Sequence, residues 1–424
     1  MTQTDQTDTA PVPPWRARTA ILALGAFVVG TDGFIIVGLL PEISHTLDVS
    51  TGAAGQLVSL FSLAYAFSGP VLAALTGRWP RRRVLVVGVA LLAVGNAVTA
   101  SAHTYALVLA SRVLAGAGAA MFMASAVATA AYLAGDKHRG RAITMVTAGA
   151  TLALVLGAPL GTFIGGAWGW QAAIWFVAAI AAVVAVVVAV LLPSVRLDQS
   201  TDLRERLAPL TDRRVLRILV VTLFAFIGIF LPFTYMSAVF APALDGSQDK
   251  LALLLMVFGV AATAGNLGAG ALADRTDPRR VVIGATAGMV AVFLLMLAVR
   301  DDFVLAAVTT ALSGVVSYAV MGPQQHRVIT YSPAGGASLV TSLNTSAAYL
   351  GNFAASLIGA AVLARSAALL LPVAAAFAAA ACLLVWLLSR PGKAFAAPGA
   401  PLPRDAERPA GREGGPQENR STTS

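Results

Sequence analysis

The sequence predicts an all-α polytopic membrane protein, with twelve transmembrane helices in two pseudo-symmetric six-helix bundles, from three observations. Hydrophobic residues make up 58% of the chain and charged ones only 12%, whereas about 25% of residues in soluble domains are charged. Apolar runs of roughly 20 residues, enough to cross a bilayer core, recur twelve times. The loop "ALTGRWPRRRVLVVG" after the second run returns after the eighth as "ALADRTDPRRVVIG". Equivalent loops in equivalent places imply parallel repeats about the membrane normal.

The first run, 19–43, is longer than the apolar core of a signal peptide, has no Ala-x-Ala site and leads into Pro41 and Glu42, so it reads as a span. Runs at 53–77, 84–103, 105–133, 142–164 and 171–193 complete a first bundle over 19–193. The polar segment 194–214 is expected to link it to a second bundle over 215–388, with runs at 215–239, 250–273, 281–299, 303–322, 336–363 and 366–388. Residues 1–18 and the Pro-, Gly- and charge-rich tail 389–424 are expected to be disordered.

Arginine and lysine decide orientation. Arg16, Arg18, Arg78 to Arg83, the "DKHRGR" segment, the linker, "DRTDPRR", Arg327 and the tail fall on one side, and only Lys250, Arg300 and Arg365 on the other. Both termini are therefore expected in the cytoplasm, and the chain in the cytoplasmic membrane. The formal charge of +9 is explained by topology and calls for no nucleic acid. Cys382 is the single cysteine, so no intrachain disulfide can form. The Gly392-Lys393 pair lacks the rest of a phosphate loop, and His45, His103, His138 and His326 lack metal-ligand spacing. We expect no cofactor beyond a proton gradient, no metal and no enzymatic activity. The expected partners are a small-molecule solute, protons and the lipid bilayer, with the chain working as a monomer.

Asp32 is the one carboxylate deep inside a run, about 20 Å from the cytoplasmic face and about 10 Å from the outer one. Arg112, in the fourth run, descends roughly 12 Å from the opposite side to a similar depth. A charge at that depth costs at least about 2.5–3.5 kcal/mol. Burial favours a neutral carboxyl and a nearby guanidinium favours the carboxylate. A group held between those pulls suits proton coupling; substrate contact and a purely structural pair are the other readings. Polar and aromatic residues within the runs suggest a cavity for a mid-sized, weakly polar solute: Tyr65, Phe233, Tyr235, Asn344, Tyr349 and Asn352.

Several motifs resemble those of the major facilitator superfamily, in its twelve-helix drug/proton antiporter branch. The second-half loop resembles the family's Gly-x-x-x-Asp-Arg-x-Gly-Arg-Arg motif through Gly270, Asp274, Arg275, Arg279 and Arg280, with Asp277-Pro278 in place of glycine. The first-half copy keeps Arg78, Arg81 and Arg82 but has Ala73, Gly77 and Pro80 at its Gly, Asp and Gly positions. The resemblance implies cytoplasmic gating loops whose acid latches a neighbouring helix N-terminus in the outward-open state. "LVLASRVLAGAGAA" matches an arginine motif through Arg112, Gly116, Gly118, Ala119 and Ala120, with Ala115 where the family has glutamine. That leaves Arg112 one polar neighbour fewer than in the family. Gly149, Gly157, Pro159, Gly161, Gly165 and Gly166 resemble the antiporter motif, which implies export.

"TDGFIIVGLLPEI", "LGAPLGTFIGG" and "SLNTSAAYLGNFAASLIGA" further resemble amphenicol exporters and arabinose or ribonucleoside efflux permeases. "TDG" around Asp32 is nearer the chloramphenicol exporters, since many sugar-efflux relatives carry glutamate one position later. The resemblance thus implies proton-coupled efflux of a small amphiphilic compound of chloramphenicol type. Efflux of sugars or nucleosides, or a proton-independent facilitator, are the alternatives.

Overall fold

The computed structural model describes residues 15–196, 203–331 and 336–388. The first half contains α1 (Trp15–Thr46), α2 (Thr51–Leu75), α3 (Arg81–Ser101), α4 (Tyr105–Leu152), a π-helical turn (Ala153–Gly157), α5 (Ala158–Trp168) and α6 (Trp170–Leu191). After the short α7 (Leu203–Leu207) come α8 (Arg213–Thr234), α9 (Met236–Val239), α10 (Ala241–Leu244), α11 (Gln248–Ala273) and α12 (Pro278–Val299). The series closes with α13 (Phe303–Tyr318), α14 (Met321–Thr330), α15 (Ala337–Leu363) and α16 (Leu370–Leu388). No strand occurs among the described residues. Polar side chains set several starts: Ser50, Asp212, Ser247, Asp277 and Asp302 each accept from a first-turn N–H, at α2, α8, α11, α12 and α13.

Eleven stretches are long and apolar enough to cross a membrane, and one carries two of the twelve expected spans. Tyr105–Trp168 runs for 64 residues, about 96 Å at 1.5 Å per residue, far beyond one bilayer. Gly135, at φ 66° and ψ 172°, breaks its direction with a backbone conformation that a side chain would resist. The "DKHRGR" segment that reads as a loop is therefore helical. Three other boundaries move. Trp15 to Arg18, expected in the disordered N-terminus, are helical, and Trp15 stacks on His138 with ring centroids 5.1 Å apart. The seventh span ends at Thr234 rather than near 239, because Tyr235 is drawn out to donate to the Ser356 carbonyl at 2.7 Å. The tenth continues as α14 through His326 and Arg327. The expected disorder of the two ends falls on 1–14 and 389–424, outside the described residues, as does the middle of the linker, 197–202.

Both halves use the same pairing plan. In the first, α1 packs on α4, α5 and α6, α2 on α4, and α3 on α4 and α6. In the second, α8 packs on α14, α15 and α16, α11 on α13, and α12 on α13 and α16. The halves meet through α2 against α15 and, reciprocally, α5 against α11. The repeated loop in the sequence is thus matched by repeated packing.

The glycine-rich fifth span packs on α1. Gly157, Gly161 and Gly165, spaced four apart, face Thr31, Ile35 and Leu39, also four apart, and Gly149 abuts the Ala23 backbone. A Cβ at any of them would enter that neighbour. Pro159 would clash with the carbonyl four residues back in a regular helix; the wider turn over Ala153–Gly157 relieves this. The same turn brings Ala150 and Ala153 against Gly30, two residues from Asp32. We expect Gly161→Leu to overpack this contact and lower the melting temperature in detergent, whereas Gly268→Leu, with nothing within 4 Å of its would-be Cβ, should leave it unchanged. Overpacking typically costs about 1–3 kcal/mol.

Candidate functional site

Asp32 and Arg112 meet inside the first half. Asp32 is 0% and Arg112 1% exposed, and Asp32 is the only buried carboxylate among the described residues. Arg112 Nη1 lies 2.9 Å from Asp32 Oδ1, and Nη2 lies 3.3 Å from both Oδ2 and the Asp32 carbonyl. This is a forked pair, the geometry in which guanidinium and carboxylate bind most strongly. The guanidinium also sits 4.8 Å from the centroid of the Phe61 ring, over a face that attracts cations.

A third partner comes from α3 and has no place in the sequence reading. Asn96, 0% exposed, accepts from Arg112 Nη1 through Oδ1 at 3.2 Å. Gly95 beside it lies against the Ala115 backbone, so α3 approaches α4 at the position where the family carries glutamine. A glutamine side chain has no room there. Ala115 leaves Arg112 without an amide from its own helix, and the facing helix supplies one. A lone asparagine in an apolar run was its only signal.

The six proposed cavity residues do not form one group. Tyr65 and Tyr349 stack across the two halves, with centroids 3.7 Å apart and planes at 15°. Asn352 lies on the same face of α15 by helical spacing, and its buried Oδ1 has no hydrogen-bond partner among the described residues. Phe233 sits in an aromatic cluster with Phe34, Phe230 and Phe258. Tyr235 and Asn344 are committed elsewhere. The Tyr235 ring fills the space between Gly55 and Gly359 at the arginine-poor end of the bundle. Asn344 accepts from Thr222 Oγ1 at 2.7 Å and donates to Gln325 Oε1 at 3.0 Å. Gln324 and Arg327 join that network, Arg327 Nη1 donating to Gln324 Oε1 at 2.8 Å. Gln324 and Gln325 escape a reading of the sequence because they sit just beyond the apolar run of the tenth span.

The seam between α2 and α15 is closed from Gly52 to Ala66, toward the arginine-poor end. Gly52 touches Ala360, Ser356 Oγ donates to the Gly55 carbonyl at 2.6 Å, Ser59 Oγ to that of Phe353 at 3.4 Å, and Ser346 Oγ to that of Ala66 at 2.9 Å. A cavity bordered by Phe233, Phe258, Met296 and Thr310 measures only about 10 Å³.

The gating-loop residues are placed differently from one another. Arg81 is buried and its N–H donates to the Val195 carbonyl at 2.8 Å; Arg78 and Arg82 are exposed. Asp274 is exposed and its carboxylate makes no hydrogen bond or ion pair among the described residues. Asp277, at the family's glycine position, caps α12 instead, and Arg279 Nη2 donates to the Trp386 carbonyl at 3.1 Å. Gly270 and Arg280 lie at the adjacent helix ends, and Arg275 is exposed.

The family model described as Major Facilitator Superfamily matches residues 22–356. The chain belongs to this superfamily. Among relatives of this major facilitator, the chloramphenicol resistance protein of Streptomyces lividans is 31% identical over 348 residues, 81% of this chain and 88% of the relative. A chloramphenicol efflux pump of Mycobacterium tuberculosis is 33% identical over 304 residues, 70% of this chain and 73% of the pump. The crystal structure of a D-xylose–proton symporter superposes with a TM-score of 0.71 at 18% identity, covering 88% of this chain and 97% of that one; this likeness concerns the fold. The chain is thus a multi-pass membrane transporter. Its buried pair makes a stability prediction. Arg112→Leu, which strands a buried carboxylate, should destabilise by about 3–5 kcal/mol, and adding Asp32→Asn should recover most of that loss. Thermal unfolding of the purified single and double variants checks it.

Proposed function

We propose that this chain exports a small amphiphilic compound, of the chloramphenicol type, across the cytoplasmic membrane in exchange for protons bound at Asp32. The observation that carries the reading is the buried Asp32–Arg112 fork, the one buried acid among the described residues. It lies beside an aromatic seam between two halves that must part for transport. A structural pair would be replaced at little cost by apolar residues, whereas a pair that changes charge state gives a transporter its coupling. The named activities of the Streptomyces and mycobacterial relatives favour a drug over a sugar or nucleoside. The apolar, aromatic walls around Phe34, Phe233, Phe258, Tyr65 and Tyr349 suit such a solute, with the Asn352 amide as the polar contact. In this reading the arginine-rich ends, and both termini, face the cytoplasm.

The energetics suffice for one proton. At roughly 150 mV an entering charge is worth about 3.5 kcal/mol. At about 1.4 kcal/mol per tenfold, that sustains an outward gradient of a few hundredfold for a neutral solute. No nucleotide is needed.

Expression in an efflux-deficient host should raise resistance to chloramphenicol within a drug panel. Asp32→Asn should reach the membrane in normal amount yet abolish uphill accumulation in everted vesicles. Uphill accumulation by that variant would remove Asp32 as the obligatory proton site. The loop acid gives a separate prediction. The arginine-poor end is sealed here and Asp274 is unengaged, as a latch specific to the outward-open state would be. Asp274→Asn should slow turnover and shift the population toward inward-facing forms, read by accessibility of cysteines introduced at the arginine-rich end. Unchanged turnover and accessibility would leave Asp274 to topology alone.

A further inference from the structure

We infer that Asn96 is a positioning residue: it holds the Arg112 guanidinium in place while Asp32 is neutral, and so sets how readily Asp32 takes up its proton. The inference rests on the proton-coupling reading of Asp32. The acceptors around the guanidinium show why such a residue is needed. Arg112 donates to Asp32 Oδ1 and Oδ2, to the Asp32 carbonyl and to Asn96 Oδ1, and its Nε has no partner among the described residues. When Asp32 accepts a proton, the guanidinium loses its counter-charge but cannot lose its own proton. It stays in a site with 1% exposure, where an unsatisfied charge is costly. The neutral groups left to it are the unprotonated oxygen of the Asp32 carboxyl, the Asp32 backbone carbonyl, the Phe61 face and Asn96 Oδ1. Of these only the amide can be removed without touching the pair or the aromatic seam.

Asn96 is built for this single orientation. Its Nδ2 donates to the Leu92 carbonyl at 2.9 Å, which points Oδ1 at the arginine, and a flipped amide would set donor against donor. The helix beneath it is fixed: Gly88 and Gly95 let α3 lie on the backbone of Phe122 and Ala115, and Thr99 shares a 2.6 Å hydrogen bond with Ser111, next to Arg112. Other titratable groups near Asp32 are few. Arg112 comes from α4, Tyr65 from α2 and Tyr349 from α15. On α3, α5, α6, α9 and α11 the ionisable residues lie at helix ends or are absent, and on α1 itself they are Arg16, Arg18, Glu42 and His45, near its ends.

The test reads protonation directly, as the infrared absorbance of the protonated carboxyl in purified protein titrated across pH. Each difference is taken against the same background carrying Asp32→Asn. Asn96→Leu removes the neutral acceptor, so neutralising Asp32 strands the guanidinium; the midpoint should move to more acidic pH by about one unit, tenfold in proton concentration, the size of a hydrogen bond to a charged group. Asn96→Asp gives Arg112 a second counter-charge and sets a like charge near Asp32; the midpoint should move the other way by a similar amount. A loosened, hydrated site would instead favour the carboxylate in both variants. Shifts of opposite sign support the inference. Shifts of the same sign, or unmoved midpoints, overturn it; Asn96→Ala is read in place of Asn96→Leu if the latter fails to fold. Uphill export by the Asp32→Asn variant would remove the coupling reading while leaving the infrared result to stand on its own.

Discussion

A guanidinium and a carboxylate buried at the depth of Asp32 and Arg112 have no water to fall back on, so the helices that carry them must meet at the right height and angle. That requirement accounts for much of the first half. The α1 helix is held against the fifth span by Gly157, Gly161 and Gly165 facing Thr31, Ile35 and Leu39, and by the π-helical turn that seats Gly30. The α4 helix is held against α3 through Gly88, Gly95 and Gly118. In a bilayer, where apolar burial drives no association between helices, close backbone approach supplies the packing. Here it also sets the distances on which the ion pair depends.

The second half contains no such pair among the described residues. Its buried polar groups are the neutral amides and hydroxyls of Thr222, Gln324, Gln325 and Asn344, with Arg327 joining from α14. The packing plan is repeated between the halves while the chemistry is not. Among the described residues the buried ion pair is confined to one bundle, and the other provides aromatic walls and a network that ties α8, α14 and α15 together at the arginine-rich end.

The architecture was legible because its signals are redundant: each span is marked by length, and the repeat by a loop that recurs in both halves. The buried pair was legible too, since a lone acid and a lone arginine at matching depth have few other partners. What escaped depended on which face of a helix each residue takes. Tyr235 and Asn344 read as cavity residues because they are polar within apolar runs, but Ser356 and Thr222 with Gln325 already occupy their polar groups. Asn96 escaped for the converse reason. Its role exists only because Gly95 lets α3 reach Ala115, and a contact between helices has no trace in the spacing of either one. The break at Gly135, with Asp136 to Arg141 helical beyond it, shows that polar residues between two apolar runs mark a change of direction without reporting how few residues leave the helix.

The contacts between the halves are of a kind that can be exchanged cheaply. Across α2 and α15, Ser59, Ser346 and Ser356 each give a hydroxyl to a backbone carbonyl of the other half. When the seam parts, the Gly55 and Phe353 carbonyls keep their helical partners, whereas the Ala66 carbonyl, four residues before Pro70, has no helical N–H and loses the Ser346 hydroxyl. The serine can turn back to the carbonyl four residues earlier, as Thr31 and Thr162 already do in this structure. At Gly55 and Phe353 each exchange therefore costs a fraction of the roughly 1 kcal/mol net worth of a hydrogen bond and leaves nothing orphaned. The Asp32–Arg112 fork is different, because it lies wholly within one half and is untouched when the seam opens. Motion between the halves and charge within one of them are thus carried by separate sets of bonds. They meet at two aromatic side chains: Phe61, which lies under the guanidinium and beside Tyr65, and Phe34, which is two residues from Asp32 and packs on Phe233 across the interface. On the proposed coupling, a seam of mostly exchangeable contacts beside a pair that cannot be broken cheaply makes proton binding, rather than helix separation, the step with the larger free energy to control.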